Sequence, residues 1–380
     1  MIVPILLFFL LLVCPDIYIW ATYIAPGSRW WADVAWFAPS AAALVSFGLF
    51  NRGVYHNTFM RSFIALALCV GFPKLTFFLL QFAIAWQWAL GVAIAVVAAL
   101  VYGFFFGWRR IVVKTATCES ELLPPLFDGY RILQMSDLHI GTFRQNPGFI
   151  DKLVRLVNEQ QADMVAFTGD LVNLHADELL PFVGRLSQIK APDGVYSIMG
   201  NHDYCEYGME TTRLRGRQQN GNRRKETKAH RNQAVLEYLE EKMGWRMLMN
   251  ENVVISRPSA ADGAEKAESI AVIGVENIGK PPFKSMGNLP EAMNGLTEGT
   301  FKILLSHDPT HWRHGVLHQT DIALTLSGHT HAGQLKLGKF SPAKWAYNEW
   351  GGKYTEGGAC STSRWDWAAP SPSASGHGRK

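Results

Sequence analysis

Five short patches rich in metal-binding side chains recur through the last two thirds of the 380-residue chain. They are Asp137-Leu138-His139, Gly169-Asp170, Gly200-Asn201-His202-Asp203, Ser306-His307 and Gly328-His329-Thr330-His331. Carboxylates, imidazoles and an amide are hard to borderline donors, and with an anionic bridge and room for water they suit a pair of divalent ions. Asp170 fits the bridge, because one carboxylate can touch both ions and offset their charge. Asp137, His139 and His331 then complete one site; Asn201, His307 and His329 complete the other. Two ions about 3.5–4 Å apart lower the pKa of a bridging water and clamp phosphoryl oxygens, so that hydroxide attacks phosphorus in line. His202, next to Asn201, is placed to donate a hydrogen bond to a phosphate or to protonate a leaving oxygen. Asp203 is expected to hold that imidazole in the required tautomer.

Such side chains converge only if the backbone delivers them, and each patch follows an apolar run of strand length. These runs are residues 131–136, 164–168, 195–199, 301–305 and 322–326. Helical spacing lies between them at 149–158, with Ile150, Leu153, Val154 and Val157 on one face, and again at 179–189. The alternation predicts an α/β domain with helices packed on sheet faces. Residues 247–249 and 253–256 flank Asn250-Glu251 like a hairpin, and 269–275 reads as a further strand. Gly169, Gly200 and Gly328 fit turns that need unusual backbone angles or close approach. His175, His230, His311, His314 and His318 lack such context and read as surface or supporting residues rather than ligands. Each patch alone is weak; their order, with a strand before each, carries the reading.

Residues 1–108 are almost free of charge and hold four apolar stretches of membrane-spanning length, about 2–21, 33–50, 62–82 and 86–108. A cleaved signal peptide is disfavoured for the first, because it lacks a basic leading region and Pro15-Asp16 is no cleavage site. Trp20, Trp30, Trp31, Trp86, Trp88 and Trp108 crowd the span ends as an interfacial belt does. Arg52 and Arg61 between the second and third spans, and Arg109, Arg110 and Lys114 after the fourth, predict a cytoplasmic C-terminal domain. Lys74, beside Pro73 in the third span, is expected at a kink, facing the bundle or snorkelling. Residues 109–128 read as a linker.

The net charge of +4 is small for this length and says little about partners. Five cysteines without paired spacing argue against a disulfide framework or structural zinc. A basic run over 213–231 reads as a solvated loop or as a contact for anionic headgroups or a phosphorylated substrate. No aromatic residues interleave with it, which disfavours nucleic acid.

In this order the five patches resemble the calcineurin-like metallophosphoesterase superfamily over about residues 129–359. The resemblance implies a four-layer α/β/β/α sandwich behind an all-α transmembrane region of about four helices. It implies metal ligands at Asp137, His139, Asp170, Asn201, His307, His329 and His331, with His202 as the catalytic histidine and Asp203 beside it. It implies two divalent ions, with Mn, Fe, Zn, Ni and Mg all open. The apolar spans followed by Ile132-Leu133-Gln134-Met135-Ser136-Asp137-Leu138-His139 look like the family's bacterial membrane-anchored branch. That implies a protein of the inner membrane acting on a phosphate-ester substrate, with lipid- and nucleotide-linked substrates among those open, and with phosphomonoester, phosphodiester and pyrophosphate bonds all open.

One stretch departs from the family pattern. A Leu-Tyr-Val-Ser-X-Gly-Leu-Gly-like segment is expected after Gly357-Gly358, whereas residues 360–380 are rich in Ser, Ala, Pro and Trp. Codons compatible with 359–368, read in a shifted frame, encode Leu-Leu-Tyr-Val-Ser-Met-Gly-Leu-Gly. A frameshift near residue 359 is therefore expected in preference to a genuine divergent, disordered tail, which the coding DNA can check. With the tail as written, the sandwich is expected to lack its last strands. The alternatives to an active enzyme are a non-catalytic metal-binding scaffold or the inactive product of a frameshifted gene. A complete set of seven ligands plus His202 favours the enzyme.

Overall fold

A computed structural model describes residues 2–51, 57–105, 107, 111–204, 228–259, 266–279, 285–331 and 341–363. The chain divides into two compact units, Met1–Arg110 and Ile111–Lys380. Most of the basic run, and residues 364–380 of the tail, lie outside the described residues.

The first unit is helical: α1 (Ile2–Ile19), α2 (Trp30–Asn51), α3 (Asn57–Leu66), α4 (Phe72–Leu80) and α5 (Trp86–Phe105). A π-helical turn over Ala67–Gly71 joins α3 to α4, and Pro73 sits in the first turn of α4. The kink expected at Pro73 takes this form: proline is tolerated where the preceding turn widens and its missing N–H is not needed. Three stretches, Trp30–Leu49, Ser62–Leu80 and Trp86–Gly103, are long and apolar enough to cross a membrane, with at most 17% of each buried. Helices apolar on all sides and left uncovered require a non-aqueous solvent. Helix α1 overlaps the expected first span but is not one of these three, so three of the four expected spans are found among the described residues.

Lys74 faces the bundle. Its Nζ lies 2.6 Å from Asp16 Oδ1, donates to the Trp36 carbonyl at 3.2 Å, and sits 3.9 Å from the centre of the Trp36 ring. One cation thus ties α1, α2 and α4 together.

The second unit contains two sheets. The first is all parallel in the order β1 (Ile132–Met135), β2 (Met164–Phe167), β3 (Val195–Ser197) and β4 (Arg246–Met247). The second is mixed. It comprises β5 (Glu251–Ser259), β6 (Lys266–Gly274), β7 (Phe301–Leu305), β8 (Leu324–Ser327), β9 (Gly352–Glu356) and β10 (Ala359–Ser363), in the spatial order β5-β6-β7-β8-β10-β9. Among the described residues the unit's α-helices are α6 (Gly148–Glu159), α7 (Val183–Leu186), α8 (Lys228–Met243) and α9 (Leu289–Ala292).

Period-two alternation stacks the sheets. Met164 and Ala166 of β2 join Ile270 and Val272 of β6, Ile303 and Leu305 of β7, and Leu324 and Leu326 of β8 in one buried cluster. On the far side of the second sheet, Ile273 and Leu304 pack with Leu289 and Ala292 of α9 and with Trp312. Helix α6 buries Phe149, Ile150, Leu153, Val154 and Val157, the face its spacing predicts. The expected α/β/β/α sandwich is therefore the observed architecture. Gln134 of β1 ties the sheets: its amide nitrogen donates to the Ser327 carbonyl at 2.7 Å, and its amide oxygen accepts from Thr362 at 2.9 Å.

Two expectations are corrected. Residues 247–249 and 253–256 are not hairpin partners. β4 pairs in parallel with β3 in one sheet, while β5 forms a long antiparallel hairpin with β6 in the other. Among the described residues, strands also follow the last ligand loop, where the sandwich was expected to lack them. Residues 359–363 form β10, which inserts between β8 and β9. Polar β10 leaves its mark, because the buried hydroxyls of Ser361 and Ser363 find no hydrogen-bond partner among the described residues.

Candidate metal centre

All five patches leave the C-terminal ends of parallel strands. Asp137 and His139 follow β1, Asp170 follows β2, Asn201 follows β3, His307 follows β7, and His329 and His331 follow β8. Loops at this end of a sheet lie side by side, so residues far apart in sequence converge. The turns are tight. Asp137, His139, Asp170, His329 and His331 have left-handed backbone, with φ of 51°, 45°, 59°, 70° and 47°. They are five of the eight non-glycine residues in that region among the described residues, and each such residue costs on the order of 1–3 kcal/mol. Strain gathered at one place is the mark of a site whose geometry serves something other than stability.

Three glycines permit the approach: Gly169 has φ of 92°, and a Cβ there would lie 2.6 Å from the Gly200 amide nitrogen. A Cβ on Gly200 would lie 2.3 Å from Asp170 Oδ1, and one on Gly328 would lie 1.9 Å from Ser136 Oγ and 2.6 Å from Asp137 Oδ2.

The side chains gather in two groups. In the first, donor atoms of Asp137, His139, Asp170 and His331 all lie within 4.8 Å of one another and could hold a metal ion. His331 Nε2 is 3.2 Å from Asp137 Oδ1 and 3.1 Å from His139 Nε2. In the second group, Asn201 Oδ1 lies 3.2 Å from His307 Nε2 and 2.7 Å from His329 Nδ1. One oxygen, Asp170 Oδ2, reaches both groups, at 3.7 Å from His139 Nε2 and 3.4 Å from His307 Nε2. Every ligand expected from the sequence is thus in this cluster.

The electrostatics suit cations. Burial pushes His139 down to about 4 despite the pull of Asp170, and burial also lowers His329, so both imidazoles keep a lone pair to offer. His307 is raised instead: burial opposes its charge, but Asp170 outweighs it. Asp170 is correspondingly held below the usual carboxylate range, with His307 and His139 overcoming its burial. The His307 Nδ1 contact with the Thr168 carbonyl, 2.7 Å, leaves Nε2 to face the group.

His202 and Asp203 divide differently from expectation. Nδ1 of His202 lies 2.9 Å from the Asn173 carbonyl, and its ring meets that of His139 edge-on at 4.7 Å. Asp203 is buried and accepts from three backbone amides, those of Asp170 at 2.7 Å, Gly200 at 2.9 Å and Val172 at 3.0 Å. Its carboxylate therefore fastens the ligand loops, and the Asn173 carbonyl occupies the place assigned to it at the imidazole. Burial, then the nearby Asp170 charge, raises Asp203 to about 7. The sequence carries no signal for Asn173 or Thr168, because each contributes a backbone carbonyl. Tyr347, whose hydroxyl is 3.0 Å from His329 Nε2, is equally silent in sequence, one aromatic in an irregular segment.

The family model for calcineurin-like phosphoesterases matches residues 130–333, the span from the first ligand loop to the last. The chain belongs to the calcineurin-like phosphoesterase family. A "transmembrane protein with metallophosphoesterase domain" from Danio rerio is 29% identical over 252 residues, 66% of this chain and 51% of that protein. The "uncharacterized metallophosphoesterase YkuE" of Bacillus subtilis is 29% identical over 272 residues, 68% of this chain and 79% of its own. An "uncharacterized metallophosphoesterase" of Helicobacter pylori is 26% identical over 248 residues, 65% of this chain and 55% of its own. The chain spans about half the length of the zebrafish relative. The matched family is one of phosphoesterases, and three helices ahead of the matched span are long and apolar enough to cross a membrane.

Proposed function

We propose that this chain is a membrane-anchored, dinuclear metal-dependent phosphoesterase. In this reading residues 1–108 form the anchor, 109–128 a linker and 129–359 the catalytic domain. The observation that carries it is Asp170 Oδ2, one buried oxygen within 3.7 Å of imidazole nitrogens from both ligand groups. A carboxylate so placed would be shared between two cations. Asp137, His139 and His331 would hold one ion, and Asn201, His307 and His329 the other, with Asp170 shared. The donor set fits Mn, Fe, Zn, Ni or Mg. When bound, such ions supply Lewis acidity and an activated water.

The chain's own residues do the rest. The strained loops fix the donors before substrate arrives, so little reorganisation accompanies the reaction. With Nδ1 of His202 held by the Asn173 carbonyl, Nε2 is the nitrogen that meets a phosphoryl oxygen or protonates the leaving oxygen. Asp203 keeps the loops bearing Asp170 and Asn201 in register. The substrate is a phosphate ester, with lipid- and nucleotide-linked ones among the candidates, and the basic residues flanking the spans support a cytoplasmic domain in a bacterial inner-membrane protein.

Sealed inverted membrane vesicles carrying the full chain should hydrolyse bis-p-nitrophenyl phosphate with added Mn²⁺. Asp170→Ala should abolish that activity. Absence of hydrolysis in detergent would contradict the enzyme reading, and activity confined to right-side-out vesicles would contradict the orientation.

A further inference from the structure

His329 turns Nδ1 toward Asn201, with 2.7 Å between the ring nitrogen and the amide oxygen. An imidazole that offers the Nδ1 lone pair carries its proton on Nε2, and what receives that proton fixes the tautomer and the ring plane. Nε2 lies 3.0 Å from the Tyr347 hydroxyl, and the two rings meet edge-on at 5.6 Å and 77°. Asp308 Oδ2, at 3.9 Å, is outside hydrogen-bond reach.

The segment carrying Tyr347 is itself braced. The Ser341 hydroxyl accepts from the Ala343 amide at 3.1 Å, starting a short helical turn over Pro342–Trp345, and the Tyr347 amide donates to the Ala343 carbonyl at 2.8 Å. Glu349, buried, accepts from Arg313 at 2.6 Å, and the Thr330 hydroxyl donates to the Trp350 carbonyl at 2.7 Å. The last of these ties the segment directly to the His329–His331 loop.

We propose that Tyr347 is a positioning residue for the second metal position: its hydroxyl oxygen accepts the Nε2 proton of His329 and so holds Nδ1 toward the ion. This rests on the dinuclear reading. It assigns a function to a residue outside the five patches and outside the 130–333 family match. Partners of this kind typically contribute about 10- to 100-fold in metal affinity.

The test titrates Mn²⁺ into the metal-free full chain in detergent, by calorimetry and by the electron paramagnetic resonance signal of the exchange-coupled Mn²⁺ pair. Tyr347→Phe should weaken one of the two sites about 10- to 100-fold, leave the other within about threefold, and lose the coupled-pair signal at limiting metal. Tyr347→Gln, whose amide oxygen can accept the same proton, should recover part of the loss. His329→Ala should eliminate the same site. Two unchanged affinities in Tyr347→Phe would overturn the inference while leaving the dinuclear reading intact, and an equal loss at both sites would also overturn it. A wild-type chain binding one ion or none would remove both.

Discussion

At the scale of the residue, the centre is built from side chains the sequence announces and backbone groups it does not. Asp and His within patches that each end a strand are legible as donors because little else explains their recurrence. The Asn173 and Thr168 carbonyls that orient His202 and His307 are invisible in sequence, since every residue has a carbonyl. The reassigned role of Asp203 has the same origin: a carboxylate beside a histidine can turn to either the ring or the backbone. The Asp170–His307 pair makes one prediction. In the metal-free chain His307 is raised by Asp170 and carries a proton that a metal ligand must lose. Metal affinity should therefore rise with pH through the neutral range, by up to about tenfold per pH unit, with protons released on binding. Calorimetry in buffers of differing ionisation enthalpy measures that release, and pH-independent affinity with no proton release would contradict it.

At the scale of the element, strands β1, β2, β7 and β8 are legible because burial between layers writes them as apolar runs. The pairing of β4 is not, because a two-residue strand has no pattern and its partner β3 is remote in sequence. β10 defeats a reading by composition because its side chains look wrong for an interior strand, yet its backbone ladder to β8 and β9 forms with small residues. Helix α8 carries a buried carboxyl, Glu240, that accepts from the Ser197 hydroxyl of β3 and is raised by burial to about 8. The unfolded value is about 4.3, so the folded chain holds a proton the unfolded chain releases. That contribution is complete below about pH 4.3 and is lost as pH climbs to about 8. Glu240→Gln should accordingly raise stability at pH 8 by a few kcal/mol, because each pH unit between those two values costs the wild-type chain about 1.4 kcal/mol. At pH 4 the substitution should change stability little, and thermal unfolding at the two pH values measures the contrast. Equal effects at both would contradict this. Among the membrane helices, Lys74→Met leaves Asp16 buried and unpaired, and should destabilise the bundle by about 3–5 kcal/mol in detergent. Adding Asp16→Asn should restore much of the loss, and additive losses would show that the pair is not coupled.

At the scale of the whole molecule, two units of opposite solvent preference share one chain, and their compositions make that division plain in sequence. The apolar helices leave most of their length unburied, as a membrane-spanning role requires, whereas the α/β/β/α unit buries its own core and spends backbone strain at one end of its sheets. That strain is the feature the sequence does not show, because left-handed aspartates and histidines look like any others until the turns are seen. On the reading proposed above, this end of the sheets holds two ions bridged by Asp170. The most direct measurement is the metal content of the purified full chain, by elemental analysis after equilibration with Mn²⁺ and removal of excess. Two ions per chain, falling to one or none in Asp170→Ala, is the predicted result; one ion or none in the wild-type chain would contradict it.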